Sequence, residues 1–418
     1  MISEETSLLT SSTHEAIYNR FKPDQKRWIV FLVSIVGLLP MFVSATFVPS
    51  IPQIAKDLNS THAIVSLTVS LSIFASAVGA LVWASYSSFF LQMDADRCIC
   101  AEFRFYASGA VTFGCSGGMS LGAGVIGDIY KLEERGTAIG IFFGATLFGF
   151  AVAPFLGGAA AQYWSWRNLH YSLGAWGLFE ILLIYLAFPE TSHPGTMGID
   201  KLTRRRWIHI TWVNPLSSLW LLRSPNLFAV MLASSLVLIS DYVLLVPLAY
   251  TIGVRYGIAN EAIIGACFLP NGLGNFIGAP LAGRLSDIVV RRWREKRKGV
   301  WFPEDRLRAT WIGGLFMVPL SIGASGLITT YVGGPIGLSL NLLCLYLNGM
   351  GVDFVLNPIG SYNVDVVHSR SAEITAASVA IRSLILSAAT ALVIPSIEHI
   401  GVGWTDIIAA ILALIGQG

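Results

Sequence analysis

Charged side chains are scarce in this chain. Only 12% of its 418 residues are Asp, Glu, Lys or Arg, whereas 54% are hydrophobic. An ordinary soluble protein carries about 25% charged residues, so the composition predicts an all-α polytopic membrane protein. The net charge of +2 gives no indication of a nucleic-acid partner.

Cysteine is also sparse, and its arrangement excludes two kinds of site. The chain has five Cys residues, an odd number, and several lie in apolar runs, so no disulfide framework is expected. Cys98 and Cys100 are close together, but no His or further Cys lies nearby to complete a metal site. Residues 1–27 contain no apolar stretch, so they are predicted to be a cytosolic tail rather than a signal peptide.

Motifs of enzymes are missing as well. The sequence contains no G-x-S-x-G, H-E-x-x-H or P-loop motif, and its seven His residues are scattered. We therefore expect no enzyme activity, no cofactor and no metal. A transporter needs only a central polar site, a protonatable group and a scaffold that can rock.

Long uncharged runs divide the chain into membrane spans, since about 20 apolar residues cross the hydrocarbon core of a bilayer. Two spans fit between residues 309 and 352 because this stretch has a turn-like sequence near its middle. The other spans are predicted at 28–55, 63–87, 105–127, 136–166, 171–189, 225–252, 262–283 and 374–395, with a short last span from 407.

Basic residues indicate which loops face the cytosol. They cluster before the first span, in the loop at 190–223 and in the loop at 284–308. A cytosolic N-terminus follows, and the loop at 190–223 separates an N-terminal bundle at 28–189 from a C-terminal bundle at 224–418. Besides a solvated loop, contact with anionic lipid is an alternative reading of 190–223.

Residues 88–102 disturb the count of crossings. Span two should end in the cytosol, and Glu133-Glu134-Arg135 should be cytosolic too, so an even number of spans should lie between them. Only 105–127 qualifies, because the stretch before it carries charges that a bilayer core does not tolerate at that density. Because the number of spans in this stretch should be even and only one is found, one helix is predicted to be missing.

A glycine-rich motif in the span at 136–166 points to a family. Gly149-x-x-x-Ala153-Pro154-x-x-Gly157-Gly158 resembles the fifth-helix antiporter motif of the major facilitator superfamily, with Ala153 in place of a Gly. Two flanking stretches resemble the same positions of fungal drug:proton antiporters: GDIYKLEERGTA (Gly127–Ala138) and AQYWSWR (Ala161–Arg167).

A second motif lies after the span at 262–283. Gly283-x-Leu285-x-Asp287-x-x-x-Arg291-Arg292 resembles the loop motif G-x-L-a-D-x-x-G-R-R of the same superfamily. The three charged residues are expected to act as a cytosolic latch that pairs with helix ends in one state and releases them in the other. Orientation of the chain by positive charge is the plainer alternative.

The resemblance implies a fold of two six-helix bundles around a central cavity, here lacking most of helix three and the end of helix twelve. It implies a monomer in the plasma membrane that exports small amphipathic or cationic compounds in exchange for protons. Two alternatives stay open. One is a metabolite uniporter or symporter of the same superfamily, and the other is a degenerate copy that does not transport.

Ionisable residues inside spans are costly and usually functional. Asp241 is our candidate for the proton carrier, because a carboxyl group at mid-span can exchange a proton during transport; a structural hydrogen bond is the alternative. Asp353 and Arg382, in adjacent spans, are expected to form an ion pair. Glu180 either lines the cavity or faces a neighbouring helix, and Arg104 resembles the helix-four Arg that the family associates with proton coupling.

Asp128 and Arg135 are further candidates for gating, beside Asp353, Arg382, Asp287, Arg291 and Arg292. Asp128 with Thr137-Ala138 resembles Asp365 with Thr375-Ala376, and the spacing from Asp to Thr differs by one residue between the two. Repeated halves of this kind are common in transporters. Polar and aromatic residues within spans are candidates for the cavity lining: Tyr242, Tyr250, Asn271, Asn275, Asn341 and Asn348.

Overall fold

The computed structural model describes residues 20–46, 49, 54, 57, 59, 70–82, 117–189, 191, 215–248, 252–253, 255–258, 260–367 and 371–417. Every regular element in these residues is helical. Short 3-10 helices occupy Pro215–Arg223 and Pro303–Thr310, and a π-helical turn covers Ile312–Met317. The α-helices are α1 (Pro23–Ala45), α2 (Ser70–Val82), α3 (Gly117–Ile129), α4 (Leu132–Tyr163), α5 (Trp166–Ala187), α6 (Pro225–Leu245), α7 (Glu261–Ala266), α8 (Leu269–Lys296), α9 (Val318–Tyr331), α10 (Gly334–Val366), α11 (Ser371–Ile400) and α12 (Val402–Ile415).

Local sequence explains where several helices begin. Pro225 opens α6 at a position where the missing N–H costs nothing. Asn260 caps α7 by accepting a hydrogen bond from the N–H of Ala262. Ser165 caps α5 in the same way through the N–H of Arg167, so the chain reverses between α4 and α5 within a few residues.

Membrane-spanning helices dominate the described residues. Seven helical stretches are long and apolar enough to cross a bilayer, and α2 and α12 are shorter apolar helices. Each span predicted from residue 136 onward has its helix, and the predicted turn between the two spans at 309–352 separates α9 from α10. The all-α class predicted from composition is confirmed.

Several helix boundaries differ from the predicted spans, among them those of α8 and α12. α8 runs on to Lys296, well into the predicted basic loop, because Arg, Lys and Glu are good helix formers and hydropathy marks the membrane edge rather than the helix end. α12 begins at Val402 instead of Ile407 and therefore contains Asp406. A single acidic residue ended the apolar run in the sequence without ending the helix.

Three predictions fall outside the described residues. They are the stretch 88–102, where helix three was predicted to be missing, and the residues Arg104 and Tyr250. α3 covers the second part of the span predicted at 105–127. The division into bundles at 28–189 and 224–418 stays a prediction.

Polar residues lie inside the helix assembly and apolar residues cover its outside. The side chain of Leu320 in α9 is 67% exposed and Phe276 in α8 is 56% exposed, whereas Arg306 and Asp353 are completely buried. This distribution suits a lipid surrounding, where apolar side chains face hydrocarbon and charges are kept inside. The chemistry of the chain therefore lies between its helices.

The helix α4 is central to the packing. It runs along α1 on one side and along α7 and α8 on the other. Gly157 lies against the backbone of Thr46, and Gly158 lies against the backbone of Glu261. A larger side chain at either position would overlap main-chain atoms, so these glycines permit the close approach of three helices.

Candidate functional site

Two groups of buried polar side chains stand out. We call Ser240, Asp241, Asn271, Ser321 and Asn348 the core cluster, because it lies in the middle of the helices α6, α8, α9 and α10. We call Arg135, Thr137, Asp287, Arg306 and Asp365 the latch cluster, because it joins helix ends. Every residue of the core cluster is at least nine-tenths buried.

Asp241 is held by amide groups alone. Asn271 Nδ2 and Asn348 Nδ2 each donate a hydrogen bond of 2.8 Å to Asp241 Oδ1. Among the described residues, no hydrogen bond reaches the other oxygen, Oδ2. The two amides come from α8 and α10, so three helices meet at this carboxyl group.

Further hydrogen bonds orient these amides. Asn348 Oδ1 accepts from Ser240 Oγ at 3.3 Å and from Ser321 Oγ at 3.1 Å. Asn271 Oδ1 accepts from Asn275 Nδ2 at 3.2 Å. Because each amide oxygen is already bonded, each amide nitrogen must point toward Asp241, and the carboxyl group is bound in a fixed position.

The predicted cavity-lining residues are engaged with one another. Asn341 in α10 accepts from Ser325 Oγ at 3.0 Å and donates to Thr329 Oγ1 at 3.0 Å and to the hydroxyl of Tyr256 at 2.9 Å. Tyr242 is 6% exposed and packs in the apolar core. In this conformation these side chains, with Asn271, Asn275 and Asn348, bind protein rather than line an open central cavity.

The predicted ion pair between Asp353 and Arg382 is absent. Neither carboxylate oxygen of Asp353 has a hydrogen-bond partner among the described residues, although the residue is fully buried. Arg382 is only partly buried and likewise lacks an ion pair in the described part of the chain. Adjacent spans bring two residues to similar depth, but helix rotation decides whether the side chains face each other.

Glu180 lies on the inner side of α5. It is 5% exposed, and its Oε1 atom has no partner among the described residues. The rest of α5 is largely exposed, with Leu182 and Leu186 turned outward. Glu180 therefore faces the interior of the helix assembly, and the two readings open from sequence, a cavity lining and a contact with a neighbouring helix, both stay predictions.

Asp287 makes the contact expected of a latch residue. Its Oδ2 atom accepts a hydrogen bond of 3.1 Å from the N–H of Thr137 and one of 2.9 Å from the Thr137 hydroxyl. Its Oδ1 atom pairs with Arg306 at 3.0 Å. The end of α8 is thus bound to the beginning of α4.

Arg135 extends the latch cluster to α10. Its guanidinium pairs with Asp365 Oδ1 at 3.0 Å and donates to the carbonyl of Gly127 at 2.9 Å. Arg306 pairs with the other oxygen of Asp365 as well as with Asp287. Four charges of alternating sign therefore form one buried chain, in which Arg306 had not been predicted and Asp365 had been noted only as a repeat.

Two further gating candidates, Arg291 and Arg292, lie apart from this chain. Arg291 and Arg292 are exposed on the extension of α8 and make no ion pair among the described residues. Asp128 has an interaction partner of its own. The loop motif is therefore split, with its acid in the latch cluster and its two arginines at the surface.

The antiporter-like motif forms a packing surface of α4. Gly149 lies against Leu38 of α1, and Ala153 is fully buried. Pro154 sits inside the helix, and its carbonyl oxygen lies against Gly265 of α7. With Gly157 and Gly158, this surface holds α4 between α1 and α7.

A buried acid that the sequence analysis had passed over lies in α12. Asp406 is 2% exposed and borders a small cavity together with Ser325 and Thr329 of α9. The signal in the sequence was an acid flanked on both sides by apolar residues. Asp406 was taken for the residue before the last span, whereas it lies inside the helix.

Comparisons with known proteins agree on one family. The model of the family described as Major Facilitator Superfamily matches residues 103–392. The efflux pump radE of Floropilus chiversii is 26% identical over 94% of this chain and 78% of its own length. Citrate exporter 1 of Aspergillus niger is 24% identical over 99% of this chain and 88% of its own.

A solved structure shows the same fold. The human organic anion transporter MFSD10 superposes with a TM-score of 0.66 at 14% sequence identity, covering 95% of this chain and 99% of its own. At this level of identity the likeness concerns the arrangement of helices alone. It accounts for the order and packing of the long helices.

Proposed function

Since the chain belongs to the Major Facilitator Superfamily, we propose that this multi-pass transporter exports small amphipathic or cationic compounds in exchange for protons. The observation that carries the proposal is Asp241, a carboxyl group at the centre of the helices that is bound by two amides and, within the described part of the chain, by no cation. An acid in such a place can alternate between a neutral and a charged form without breaking an ion pair.

Two features support export over uptake, and two buried acids support proton coupling. The surface of α4 resembles the antiporter motif, and one relative bears the name of an efflux pump. The open Oδ2 atom of Asp241 leaves room for a proton while Oδ1 keeps its two amides. Glu180, buried in α5 with an unpartnered oxygen, is the second acid that we assign to proton coupling, and Arg104 is the third candidate.

The latch cluster is proposed to close the cytosolic side. The basic extension of α8 lies beside it, and basic segments stay in the cytosol, which also places the N-terminus there. For the cavity to open to the cytosol, α4 must separate from the ends of α8 and α10. The contacts from Arg135 to Asp365 and from Thr137 to Asp287 must then break.

A monomer in the plasma membrane, surrounded by lipid, fits these assignments. The substrate would occupy the space between the helices when the latch cluster opens. Asn275 and Tyr242 are proposed contacts because they lie close to Asn271 and Asp241 in the sequence. Tyr250 is proposed only because it belongs to the same predicted span as Asp241. Arg291 and Arg292 would hold the α8 extension at the cytosolic surface.

The test is transport by the purified chain in vesicles with an imposed pH gradient, using a fluorescent amphipathic cation. We expect gradient-driven movement for the unchanged chain and its loss in Asp241→Asn, which keeps the shape of the side chain but cannot titrate. Glu295→Gln, at an exposed acid of the α8 extension, is the matched control. A pH dependence that persists in Asp241→Asn would overturn the proposed role of Asp241.

Export of an organic anion is the second candidate function. It is favoured by Arg382, a cation inside α11 that lacks an acidic partner among the described residues, and by the relative named for citrate export. The same vesicles loaded with citrate distinguish the two. Citrate movement that is lost in Arg382→Gln would favour this candidate, whereas movement of the cation alone would favour the first.

A further inference from the structure

The carboxyl group of Asp406 is buried but unpartnered. It lies in the first turns of α12 and is 2% exposed. In the described part of the chain, neither a hydrogen bond nor an ion pair to it is found. It is also held close to α9, since its Oδ2 atom lies about 3.0 Å from where a Cβ on Gly326 would stand.

A cavity opens beside this carboxyl group. Its volume is about 20 Å³, and a cavity of about 10–15 Å³ holds one water molecule. Ser325 and Thr329 border it with hydroxyl groups, and its other walls are apolar side chains of α6, α10 and α12. One carboxylate and two hydroxyls suit a water molecule, and they are too few oxygens for a hard metal cation such as Ca²⁺.

Hydroxyl and amide groups connect the cavity with the core cluster. Ser321, Ser325 and Thr329 follow one another at four-residue spacing, so they share one face of α9. Ser321 is bonded to Asn348, which binds Asp241. Ser325 and Thr329 are bonded to Asn341, which lies two turns from Asn348 in α10.

The cavity also lies close to Asp241 along α6. Val243 and Leu244, which border it, follow Asp241 within the same helical turn. Thr310, near the latch cluster, is bonded to Gln417 beyond the other end of α12. Asp406 therefore lies toward the side of the membrane opposite the latch cluster.

We propose that Asp406 is the acid through which protons from that opposite side reach Asp241. A water molecule in the cavity takes up a proton from the solvent on that side and gives a proton to the Asp406 carboxylate, so an O–H bond forms on Asp406 and the water stays neutral. It is then passed through the cavity water to the open Oδ2 atom of Asp241, which releases it when the latch cluster opens. The inference rests on the proposed proton coupling and adds its entry point.

Few other ionisable groups compete for this role. The π-helical turn at Ile312–Met317 has none, and no ion pair joins any of the described neighbours to Asp406. The helices that pack against α12 contribute Asp241 and Tyr242 from α6, Tyr331 from α9, and Glu373, Arg382, Glu398 and His399 from α11.

Chemical labelling tests the proposal without transport. Dicyclohexylcarbodiimide reacts with protonated carboxyl groups in apolar surroundings, and mass spectrometry locates the product. We expect Asp406 of the unchanged chain in detergent to be labelled at low pH and to lose its labelling as the pH rises. Asp365, paired with two arginines, should stay unlabelled. Absence of labelling at Asp406 across the pH range would overturn the proposal.

Transport gives the second test. In vesicles with an imposed pH gradient, Asp406→Asn should slow gradient-driven movement by about tenfold or more, and exchange of labelled for unlabelled substrate at equal pH should continue. Glu398→Gln is the matched control, because Glu398 is an exposed acid near the end of α11 that precedes α12. Normal gradient-driven rates in Asp406→Asn would overturn the proposal while leaving the proposed function intact.

Thr329→Val guards against misfolding of the Asp variant. It keeps Asp406 and removes one cavity hydroxyl, so it should slow gradient-driven movement by several-fold and leave equal-pH exchange unchanged. Equal slowing of both processes would show a structural role and contradict the proposal. If the unchanged chain shows no pH-driven transport, the proposed function fails, and the labelling result alone decides whether Asp406 takes up protons.

Discussion

The latch cluster and the core cluster keep buried acids in opposite ways. In the latch cluster, Asp287 and Asp365 are each paired with arginine, and Arg306 touches both of them. In the core cluster, Asp241 meets two amides and no positive charge from any residue that the structure describes. Both clusters join helices that are distant in the sequence, yet only the first depends on charge neutralisation.

This difference separates two tasks. An ion pair holds two helices together in one state and can be exchanged for solvent when they part, which suits a gate. An acid bound by amides can change its protonation while its surroundings stay in place, which suits a carrier of protons. The following substitutions test whether the two clusters behave so differently.

The largest effect is expected from Asp365→Ala. It leaves Arg135 and Arg306 buried without their shared carboxylate, and removal of one partner from a buried pair costs about 3–5 kcal/mol. Thermal unfolding in detergent should show a large decrease in stability. A change as small as that of a surface acid would mean that water enters the latch cluster and replaces the carboxylate.

A smaller loss of stability is expected from Asp241→Asn. The amide oxygen of Asn can still accept from Asn271 and Asn348, so the free energy of unfolding should fall by no more than about 1 kcal/mol. pH-driven transport should nevertheless disappear. A loss of stability equal to that of Asp365→Ala would show that Asp241 is a structural acid and remove the contrast between the clusters.

Asp353→Asn should leave stability unchanged or raise it slightly. The sequence had indicated an ion pair with Arg382, whose loss would be destabilising, but Asp353 has no partner among the described residues. Replacing an unpartnered buried carboxyl group removes the cost of keeping a charge there. A marked decrease in the unfolding temperature would indicate that Asp353 and Arg382 form an ion pair in another conformation of the protein.

The smallest effect is expected from Asp57→Ala. Its pair with Arg167, at 3.3 Å, is partly exposed, and surface pairs contribute about 0–1 kcal/mol. It serves as the reference for the other three in the same unfolding measurement. If it matched Asp365→Ala, burial would not be what makes the latch cluster strong.

Much of this protein could be derived from its sequence. Hydropathy and basic loops are properties of single segments, so the spans after residue 136 and the likeness to the major facilitator superfamily were found without a structure. Asp241 was chosen because an acid at the middle of an apolar run is costly wherever its helix lies. The motif around Asp287 singled out a residue that proved to be buried and paired, since the spacing of the motif is local, and its role as a latch stays a prediction.

The partners of these residues were decided by the tertiary structure. Arg135 and Asp365 are 230 positions apart, and nothing local indicates that they meet or that Arg306 joins them. Asp353 and Arg382 were paired from depth alone, and the rotation of their helices keeps them apart. Asp406 was set aside as a span edge, whereas the packing of α12 against α9 places it beside a cavity. The depth of a residue in the membrane follows from its position along one helix. The neighbour that its side chain faces is decided only when several helices pack together.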